Sequence, residues 1–379
     1  MGHERKIKLS ICIPVYNQII LLEKCVKTIL QYIGDDIEVI IQDNCSDDEI
    51  ASLVSSIADD RVKYYRNGFN MGHDMNIIQS FKNASSDFCF LLRTRDCLIP
   101  EAIPLIIKTI TDNPNTSYIA GDAIYPDGSL RLKYSTEHFS IGSKAVSANH
   151  RLYIHPSGSI YNVSLLDLDL IEQFLLTNTT SSSSFITHVL FRTKLAEVGD
   201  FRMILSPIWI YALTIAATDI AVTSVRTGES PNCAHLVAER LRLFLIYVSS
   251  NCNKQFFETN ALYFFRLCLT SCTWIDKHNT KIPAYVNHYN ISVTNNSILS
   301  SRRTILDVLH NFRKDYSVEF TSSFKIRYAF IVINNCLFSP FYYLYMRTAF
   351  TLKERLKTTS IYPKVLSIYA KLSALARKV

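Results

Sequence analysis

The stretch Leu9-Ser-Ile-Cys-Ile-Pro-Val-Tyr-Asn17 changes abruptly from apolar to polar residues. Its Ile and Val side chains favour a strand, and Pro14 and Asn17 stop it. Strands that are apolar on both faces are typical of parallel sheets covered by helices. Residues 19–33 follow with apolar side chains at helical spacing. This region therefore predicts the first strand and crossover helix of an α/β fold.

The same alternation of strand and helix continues through about the first 100 residues. Strands are predicted at 37–42, 62–65 and 88–92, and Ser46-Asp47-Asp48-Glu49 predicts a capping box for a helix that ends at Ile57. Right-handed crossovers between such elements build a Rossmann-like, mostly parallel sheet with flanking helices. Ligands bind beyond the carboxyl ends of the strands in such sheets. The polar clusters at those ends are Tyr16-Asn17, Asp43-Asn44, 67–76 and 93–96.

Four segments together resemble a known family. They are the stretch 9–17, Glu38-Val-Ile-Ile-Gln-Asp-Asn-Cys-Ser-Asp-Asp48, Asn70-Met-Gly-His-Asp-Met-Asn76 and Phe88-Cys-Phe-Leu-Leu-Arg-Thr-Arg-Asp-Cys-Leu-Ile-Pro100. In this order they resemble the family 2 glycosyltransferases of the GT-A fold, especially bacterial transferases of polysaccharide, O-antigen and capsule assembly. The resemblance implies a GT-A domain over residues 1–230, with a nucleotide-binding half at 1–130 and an acceptor half at 131–230. Residues 231–379 are then expected to form a helical region.

The resemblance implies that the first strand ends bind the nucleotide of a nucleotide-sugar donor. Asp43 would accept a hydrogen bond from a base N–H group, and the ring of Tyr16 would flank the base. The alternative is that Asp43, Asn44 and Ser46 only cap the helix that follows. The expected donor contacts are Pro14, Tyr16, Asn17, Asp43, Asn44, Asn70, Gly72 and Asn76.

The fourth motif departs from the family, whose members carry a carboxylate cluster that holds a divalent metal on the donor phosphates. This chain has Arg93-Thr94-Arg95-Asp96 instead. A single carboxylate holds Mg²⁺ or Mn²⁺ poorly, and two guanidinium groups repel the ion. We therefore expect Arg93 or Arg95 to bind the diphosphate without a cofactor. The alternatives are a metal held weakly by Asp96 with water and phosphate oxygens, or a site that no longer catalyses transfer.

The sequence leaves the general base open. The resemblance implies a carboxylate after a Gly-x-Phe turn, which Gly199-Asp200-Phe201 matches, but residues 205–211 contain no carboxylate. The remaining candidates are His188, Asp200 and Asp219. An imidazole titrates near neutral pH and can serve as a base. For His188 the alternative is a histidine packed beside its neighbouring phenylalanines.

A polar turn at His155-Pro-Ser-Gly-Ser-Ile-Tyr161 is a further candidate segment. It resembles a segment of bacterial polysaccharide-assembly transferases, which implies that His155 and Ser157 lie near the acceptor or the donor sugar. The alternative is an ordinary turn with an exposed histidine.

Positive charge is concentrated at the end of the chain. The net charge is +7, and residues 301–379 hold 14 Lys and Arg against 4 Asp and Glu. Residues 323–346 are apolar but contain Asn334 and Pro340, which favours interfacial helices over a membrane crossing. Residues 364–378 form a basic amphipathic pattern. We expect this region to bind an anionic membrane surface; the alternative is a helical subdomain packed on the core or on a partner subunit.

The cysteines, the first residues of the chain and the basic residues indicate where the protein acts and what it binds. The ten cysteines include no C-x-x-C pair, and polar residues run directly into the first strand, which favours reduced thiols and a cytoplasmic location at the inner face of the membrane. The basic residues match no nucleic-acid-binding module, so no nucleic-acid partner is expected. The sequence thus predicts an inverting transferase that moves a sugar from a nucleotide-sugar donor to a hydroxyl of a lipid-linked bacterial glycan. The alternative is a non-catalytic nucleotide-sugar-binding scaffold of a polysaccharide-assembly complex.

Overall fold

A mixed sheet of ten strands organises the first part of this computed structural model. The residues that the structure describes are 7–151, 155–179, 185–211, 234–279, 298–316 and 319–333. The strands are β1 (Leu9–Val15), β2 (Ile37–Asp43), β3 (Val62–Arg66), β4 (Phe88–Leu91), β5 (Cys97–Leu98), β6 (Thr116–Ile124), β7 (Leu130–Leu132), β8 (His138–Phe139), β9 (Ser159–Asn162) and β10 (Asp200–Ile210).

Helices connect the strands and follow the sheet. Those among the strands are α1 (Ile19–Ile29), α2 (Ile50–Ile57), α3 (His73–Lys82), α4 (Ile103–Asp112), α5 (Ser143–Arg151), α6 (Leu168–Asn178) and α7 (Thr187–Val198). Those after the sheet are α8 (Ala234–Asn251), α9 (Lys254–Asn279), α10 (Ile298–Asp315) and α11 (Ser322–Ile333).

The sheet has the strand order β3-β2-β1-β4-β9-β6-β10-β5, with β7 paired to β6 and β8 to β10. The pairs β1–β2, β2–β3, β1–β4 and β6–β10 are parallel, and they include the two longest ladders. Strand β9 is antiparallel to both β4 and β6, between which it lies. The predicted α/β class, a mostly parallel sheet with flanking helices and a helical region after it, is confirmed.

The two faces of the sheet carry different cores, because successive side chains of a strand point to opposite faces. On one face, an aliphatic core joins β1 and β6 to α1 and α4, with Ile11, Ile119 and Leu22 fully buried. On the other face, Tyr118 contacts Tyr161 with ring centroids 5.3 Å apart. Because both faces are covered, β1 and β2 are buried along almost their whole length, including the polar side chains of Ser10 and Glu38.

Two local predictions are wrong. The first helix ends at Ile29, and Ile33, which was placed on its apolar face, is 96% exposed. The capping box before α2 does not form: the helix begins at Ile50 without a side-chain cap. The Ser46 hydroxyl instead donates to Asp43, because that buried carboxylate offers a charged acceptor closer than the helix end.

The C-terminal part contains helices, as predicted. Helices α8, α9 and α10 belong to the same compact unit as the sheet, which extends to Phe320, and α11 belongs to a second unit from Thr321. None of the helices within the described residues is long and apolar enough to cross a bilayer. The predicted boundary near 230, the amphipathic segment 364–378 and most of 323–346 lie outside the described residues.

Candidate active site

Six strands end at one edge of the sheet, because β1, β2, β3, β4, β6 and β10 run in the same direction. Strand β9 runs the opposite way and therefore begins at this edge. The polar clusters predicted from the sequence and the turn at 155–158 meet here. We describe this edge as the candidate active site, since ligands of such sheets bind beyond the carboxyl ends of the strands.

Asp43 is fully buried at the end of β2 and accepts four hydrogen bonds. Its Oδ1 accepts from the Ser46 backbone N–H at 2.9 Å and from the Ser46 hydroxyl at 2.5 Å. Its Oδ2 accepts from the Tyr64 hydroxyl at 2.7 Å and from Arg66 Nη1 at 2.6 Å. Asp43 therefore binds the loop that follows it and two side chains of β3, and it does not cap α2, which begins only at Ile50. A nucleobase N–H would have to share these oxygens, so that contact stays a prediction.

A network of amide side chains ties the end of β2 to the segment before α3. Asn67 donates to Oδ1 of Asn44 at 3.0 Å and to Oδ1 of Asn76 at 2.9 Å, and it accepts from Gln42 Nε2 at 2.8 Å. Asn44 donates to Oδ1 of Asn70 at 2.9 Å. Buried amides need such partners. Asn44, Asn70 and Asn76 are thus engaged within the protein, and their contact with a donor stays a prediction.

The other predicted donor contacts lie in the loops at the same edge. Asn17 has a positive φ of 50° and accepts from the Asp47 backbone N–H at 2.6 Å. Gly72 has a φ of 86° and directly precedes α3. Pro14 and Tyr16 are half-buried at the end of β1. These residues surround one loop cluster, where a nucleotide is expected by the resemblance.

Arg93 and Asp96 form an ion pair after β4. Arg93 Nε and Nη2 lie 2.9 Å and 2.8 Å from Asp96 Oδ2, and Asp96 is fully buried. The Ser157 hydroxyl accepts from the Arg93 backbone N–H at 3.1 Å and donates to the same Asp96 Oδ2. Arg95 is half-buried two residues further on. Two segments that were separate in the sequence analysis thus form one cluster.

His155 is buried against an aromatic pair at the end of β10. Its ring stacks on Trp209 at 4.8 Å and meets Tyr211 edge-on at 5.4 Å. Burial lowers the pKa of His155 well below its ordinary value, and the positive charges of Arg93 and Arg131 lower this pKa further. His155 is therefore a neutral imidazole at neutral pH, and the alternative of an exposed histidine is wrong.

The residues around Asp96 do not fit a metal held by the protein. Asp96 supplies one carboxylate, and that carboxylate is neutralised by Arg93. Its Oδ1 is buried without a hydrogen-bond partner among the described residues, but one oxygen is a small part of the six that Mg²⁺ requires. Across the part of the chain that the structure describes, no three acidic, histidine or cysteine side chains cluster as metal ligands.

His188, a candidate base, lies in the first turn of α7 beside the start of α3. Burial lowers the pKa of His188 well below its ordinary value, and Arg192 lowers this pKa further while Asp74 opposes the shift. Asp74 Oδ1 accepts from the backbone N–H of Thr187 at 3.0 Å and so links α3 to α7. His188 is half-buried near the charged groups of Asp74 and Arg192. Its role as a base and the packing alternative therefore both stay open.

Asp200, a second candidate base, lies at the opposite edge of the sheet. It begins β10, whose eleven residues end at Ile210, and it pairs with Thr116 at the start of β6. There it accepts from His138 at 2.9 Å and from the Ile141 backbone N–H at 2.8 Å. The prediction that Asp200 joins the catalytic site is therefore wrong. Asp219, the third candidate, lies outside the described residues.

Four side chains at this edge were missed by the sequence analysis. Arg131 Cζ lies 4.4 Å above the ring centre of Tyr211, and Trp209 is fully buried below His155. Asp122, in the last part of β6, is a buried carboxylate whose pKa is raised by burial. The signal that was available is positional: Asp122 stands near the end of the apolar run 118–124, which is typical of a strand, and ligand-binding residues are expected at strand ends.

Residues 10–170 match the family described as Glycosyl transferase family 2. Residues 10–170 of this chain are thus similar to a family 2 glycosyltransferase domain. This domain contains β1 to β4, β6 and β9, and hence Asp43, Arg93, Asp96, His155 and Ser157.

Two relatives share part of the chain. A GalNAc(5)-diNAcBac-PP-undecaprenol beta-1,3-glucosyltransferase of Campylobacter jejuni is 29% identical over 199 residues, which span 49% of this chain and 63% of the relative. An uncharacterized glycosyltransferase of Haemophilus influenzae is 28% identical over 111 residues, which span 29% of this chain and 37% of the relative. The matches therefore leave more than a third of each relative uncovered.

Among solved structures, two glycosyltransferases are similar at low sequence identity. S. aureus TarS 1-349 in complex with UDP-GlcNAc is 11% identical, with a TM-score of 0.45 over 82% of this chain and 92% of that chain. The mannosyltransferase PcManGT of Pyrobaculum calidifontis, in complex with GDP-Man and Mn²⁺, is 12% identical, with a TM-score of 0.45 over 88% of each chain. The similarity to family 2 glycosyltransferases rests on the match of residues 10–170 and not on these two structures.

Proposed function

We propose that this protein is an inverting glycosyltransferase that uses a nucleotide-sugar donor without a metal ion. The family 2 domain supports sugar transfer. The observation that carries the metal-independent part is the ion pair of Arg93 with Asp96, which occupies the position where the family carries carboxylates for a metal. A transferase must stabilise the departing diphosphate, and guanidinium groups supply positive charge and directed N–H donors for this purpose.

The charges at this end of the site match a diphosphate. Arg93, Arg95 and Arg131 bring three positive charges near His155, as their common effect on its pKa indicates, and Asp96 brings one negative charge. Guanidinium groups bind the negative oxygens of such a leaving group directly. Since Asp96 holds Arg93 in place before the reaction, this group needs little reorganisation during transfer.

The experiment that tests this function is a transfer assay with a panel of nucleotide sugars, each with EDTA or with Mn²⁺. We expect one donor to be turned over at the same rate in both conditions. Arg95→Ala should lower kcat by about 100-fold, as removal of an oxyanion-binding donor does, and Arg95→Lys should recover part of it. The matched control is Lys108→Ala on the exposed surface of α4. Activity that appears only with Mn²⁺ would show that Asp96 binds a metal with the phosphates.

Two groups are proposed as alternatives for the base that deprotonates the acceptor hydroxyl. Asp122 is a buried carboxylate whose pKa is raised by burial, as a base that works near neutral pH requires. His188 is an imidazole whose lowered pKa keeps it unprotonated. Asp122→Asn and His188→Gln separate them, because loss of the base lowers kcat by about 100-fold or more while donor binding remains. If both variants keep full activity, neither residue is the base.

A lipid-linked glycan is the proposed acceptor. The Campylobacter jejuni relative is named for a glycan carried on PP-undecaprenol. The basic C-terminal region supports attachment to the membrane that holds such an acceptor, because basic segments bind anionic lipid surfaces. Flotation with vesicles containing anionic lipid tests this attachment. Replacement of Lys364, Lys371, Arg377 and Lys378 by Glu should abolish flotation, and flotation that persists would contradict an electrostatic role for these residues.

The second candidate function is a non-catalytic nucleotide-sugar-binding scaffold. The observation that favours it is the neutralised carboxylate, since a decayed metal site would also leave a single Asp96 paired to an arginine. The donor panel distinguishes the two functions. Binding of a nucleotide sugar by calorimetry, without hydrolysis or transfer to a lipid-linked acceptor in any condition, would favour the scaffold.

A further inference from the structure

One imidazole nitrogen of His155 is fixed by the fold. The backbone N–H of Ser157 donates to His155 Nδ1 at 3.2 Å. A nitrogen that accepts a hydrogen bond carries a lone pair and no proton. In a neutral imidazole the proton must then be on the other nitrogen, so His155 has an Nε2–H group.

The turn that fixes this tautomer is itself rigid. The Ser159 hydroxyl donates to the His155 carbonyl at 2.7 Å and lies 2.6 Å from the Tyr118 hydroxyl. Gly121 N–H donates to the carbonyl of Gly158 at 3.3 Å, which attaches the turn to β6. Together with the stacking on Trp209, these contacts fix the plane of the imidazole ring.

Nε2 is the only polar atom of this ring that is not engaged. Among the described residues no side chain or carbonyl accepts from it, and it is not one of the polar atoms sealed from solvent. His155 as a whole is 6% exposed. A buried ring whose one N–H group has no acceptor among the described residues is suited to donate to a ligand.

The surroundings of the ring indicate what that ligand is. The ring of Tyr211 lies within 6 Å of three groups: His155 at 5.4 Å, Arg131 Cζ at 4.4 Å and Arg93 Cζ at 5.9 Å. The Ser157 residue that fixes the tautomer also donates its hydroxyl to Asp96. Two guanidinium groups beside one neutral N–H donor form a set of donors for anionic oxygens.

We propose that His155 is a substrate-binding residue whose Nε2–H donates a hydrogen bond to a phosphoryl oxygen of the sugar nucleotide, and that it is neither the general base nor the general acid. This inference rests on the proposed function for the identity of the ligand. The geometry excludes the base role, since the lone pair at Nδ1 is used by Ser157 and Nε2 carries the proton. It excludes the acid role, because donation of that proton would leave an imidazolate.

Two variants of the full chain test the donor role. His155→Phe keeps an aromatic ring between Trp209 and Tyr211 but has no N–H group. His155→Gln loses the ring but keeps an amide N–H near the position of Nε2. Inorganic pyrophosphate is the probe, and its affinity is measured by calorimetry at neutral pH. We expect His155→Phe to weaken binding about tenfold or more, as loss of a hydrogen bond to a charged group does. His155→Gln should stay within about threefold of the unmodified protein.

A matched control and a spectroscopic measurement complete the test. His138→Phe removes a histidine at the opposite edge of the sheet and should leave pyrophosphate binding unchanged. Nitrogen NMR of the imidazoles should show His155, identified by its loss in His155→Phe, as the Nε2–H tautomer at neutral pH.

Several results would overturn the proposal. These are no measurable binding of pyrophosphate by the unmodified protein, equal affinity in His155→Phe, or an Nδ1–H or doubly protonated His155. Failure of the donor panel with a normal pyrophosphate result would instead count against sugar transfer alone. The thermal unfolding of each variant, followed by circular dichroism, shows whether a loss of binding comes from a loss of fold.

Discussion

Gly158 is the position where a single added methyl group should do most damage to the candidate site. Its φ is +81°, a conformation that glycine adopts freely and other residues adopt at a cost. A Cβ built at this position would lie within 3.0 Å of three atoms of the Trp209 indole. Trp209 is fully buried under His155, so it has no space into which to move.

The structure offers matched controls that separate the two costs. Gly128 and Gly142 have φ values of +81° and +83°, and a Cβ at either would meet nothing within 4 Å. Replacement by Ala at these two positions should cost only the backbone strain, about 1–2 kcal/mol in the free energy of unfolding. Gly158→Ala should cost that strain and a further ~1–3 kcal/mol for overpacking against the indole.

The assay is urea unfolding followed by tryptophan fluorescence. The chain has two tryptophans, so Trp274→Phe is introduced in every protein and the signal then comes from Trp209 alone. We expect Gly158→Ala to unfold at lower urea than Gly128→Ala, with the emission of its folded state also changed. If the two variants unfold at the same urea concentration with identical folded-state spectra, then the close contact between Gly158 and Trp209 does not exist in solution.

Three further predictions concern the buried polar groups. Asp96→Asn should lower the free energy of unfolding by about 3 kcal/mol in urea, because it leaves the Arg93 guanidinium beside a neutral group. Replacing Arg93 and Asp96 together by apolar residues should recover most of this loss. Burial lowers the pKa of His155 and His188, so the unfolded chain binds more protons than the folded one. The free energy of unfolding should therefore fall as pH drops below about 6.5. A free energy of unfolding that stays constant between pH 7 and about 5.5 would contradict these lowered pKa values. Asn67→Leu should cost about 2–3 kcal/mol in thermal and urea unfolding, since it removes a hydrogen bond from each of three amide side chains, those of Gln42, Asn44 and Asn76. A neutral effect would show that water replaces the lost contacts.

The first half of the fold could be predicted from the sequence because its signals are local. The apolar run of β1, the helical spacing of α1 and the polar residues at the strand ends each lie within one short segment. Even there the function of a polar residue was harder to predict than its position. Asn44 and Asn76 stand where a ligand is expected, yet their amides bond to protein groups, and amide side chains suit either role equally well.

The second half could not be predicted because its organisation depends on distant pairing. The resemblance implies a carboxylate within 205–211, but residues 205–210 form the end of β10. Its register with β6 shifts at Pro207, where a proline cannot donate to the ladder. No local pattern shows that Trp209 lies beneath His155. Asp200 fits a motif that the resemblance implies, but only the direction of β10 shows that it lies at the wrong edge.

The antiparallel strand β9 has a consequence for how this protein tolerates changes in length. Its register with β4, in which Ser159 lies opposite Leu91, determines how far Ser157 extends beyond the strand towards Asp96. One residue inserted in Ser159–Asn162 would reverse the faces of the strand and move the whole turn out of reach. One residue inserted between β7 and β8 would leave that ladder unchanged. Natural variation in length should therefore occur in the connections of the second half and not in the four residues of β9.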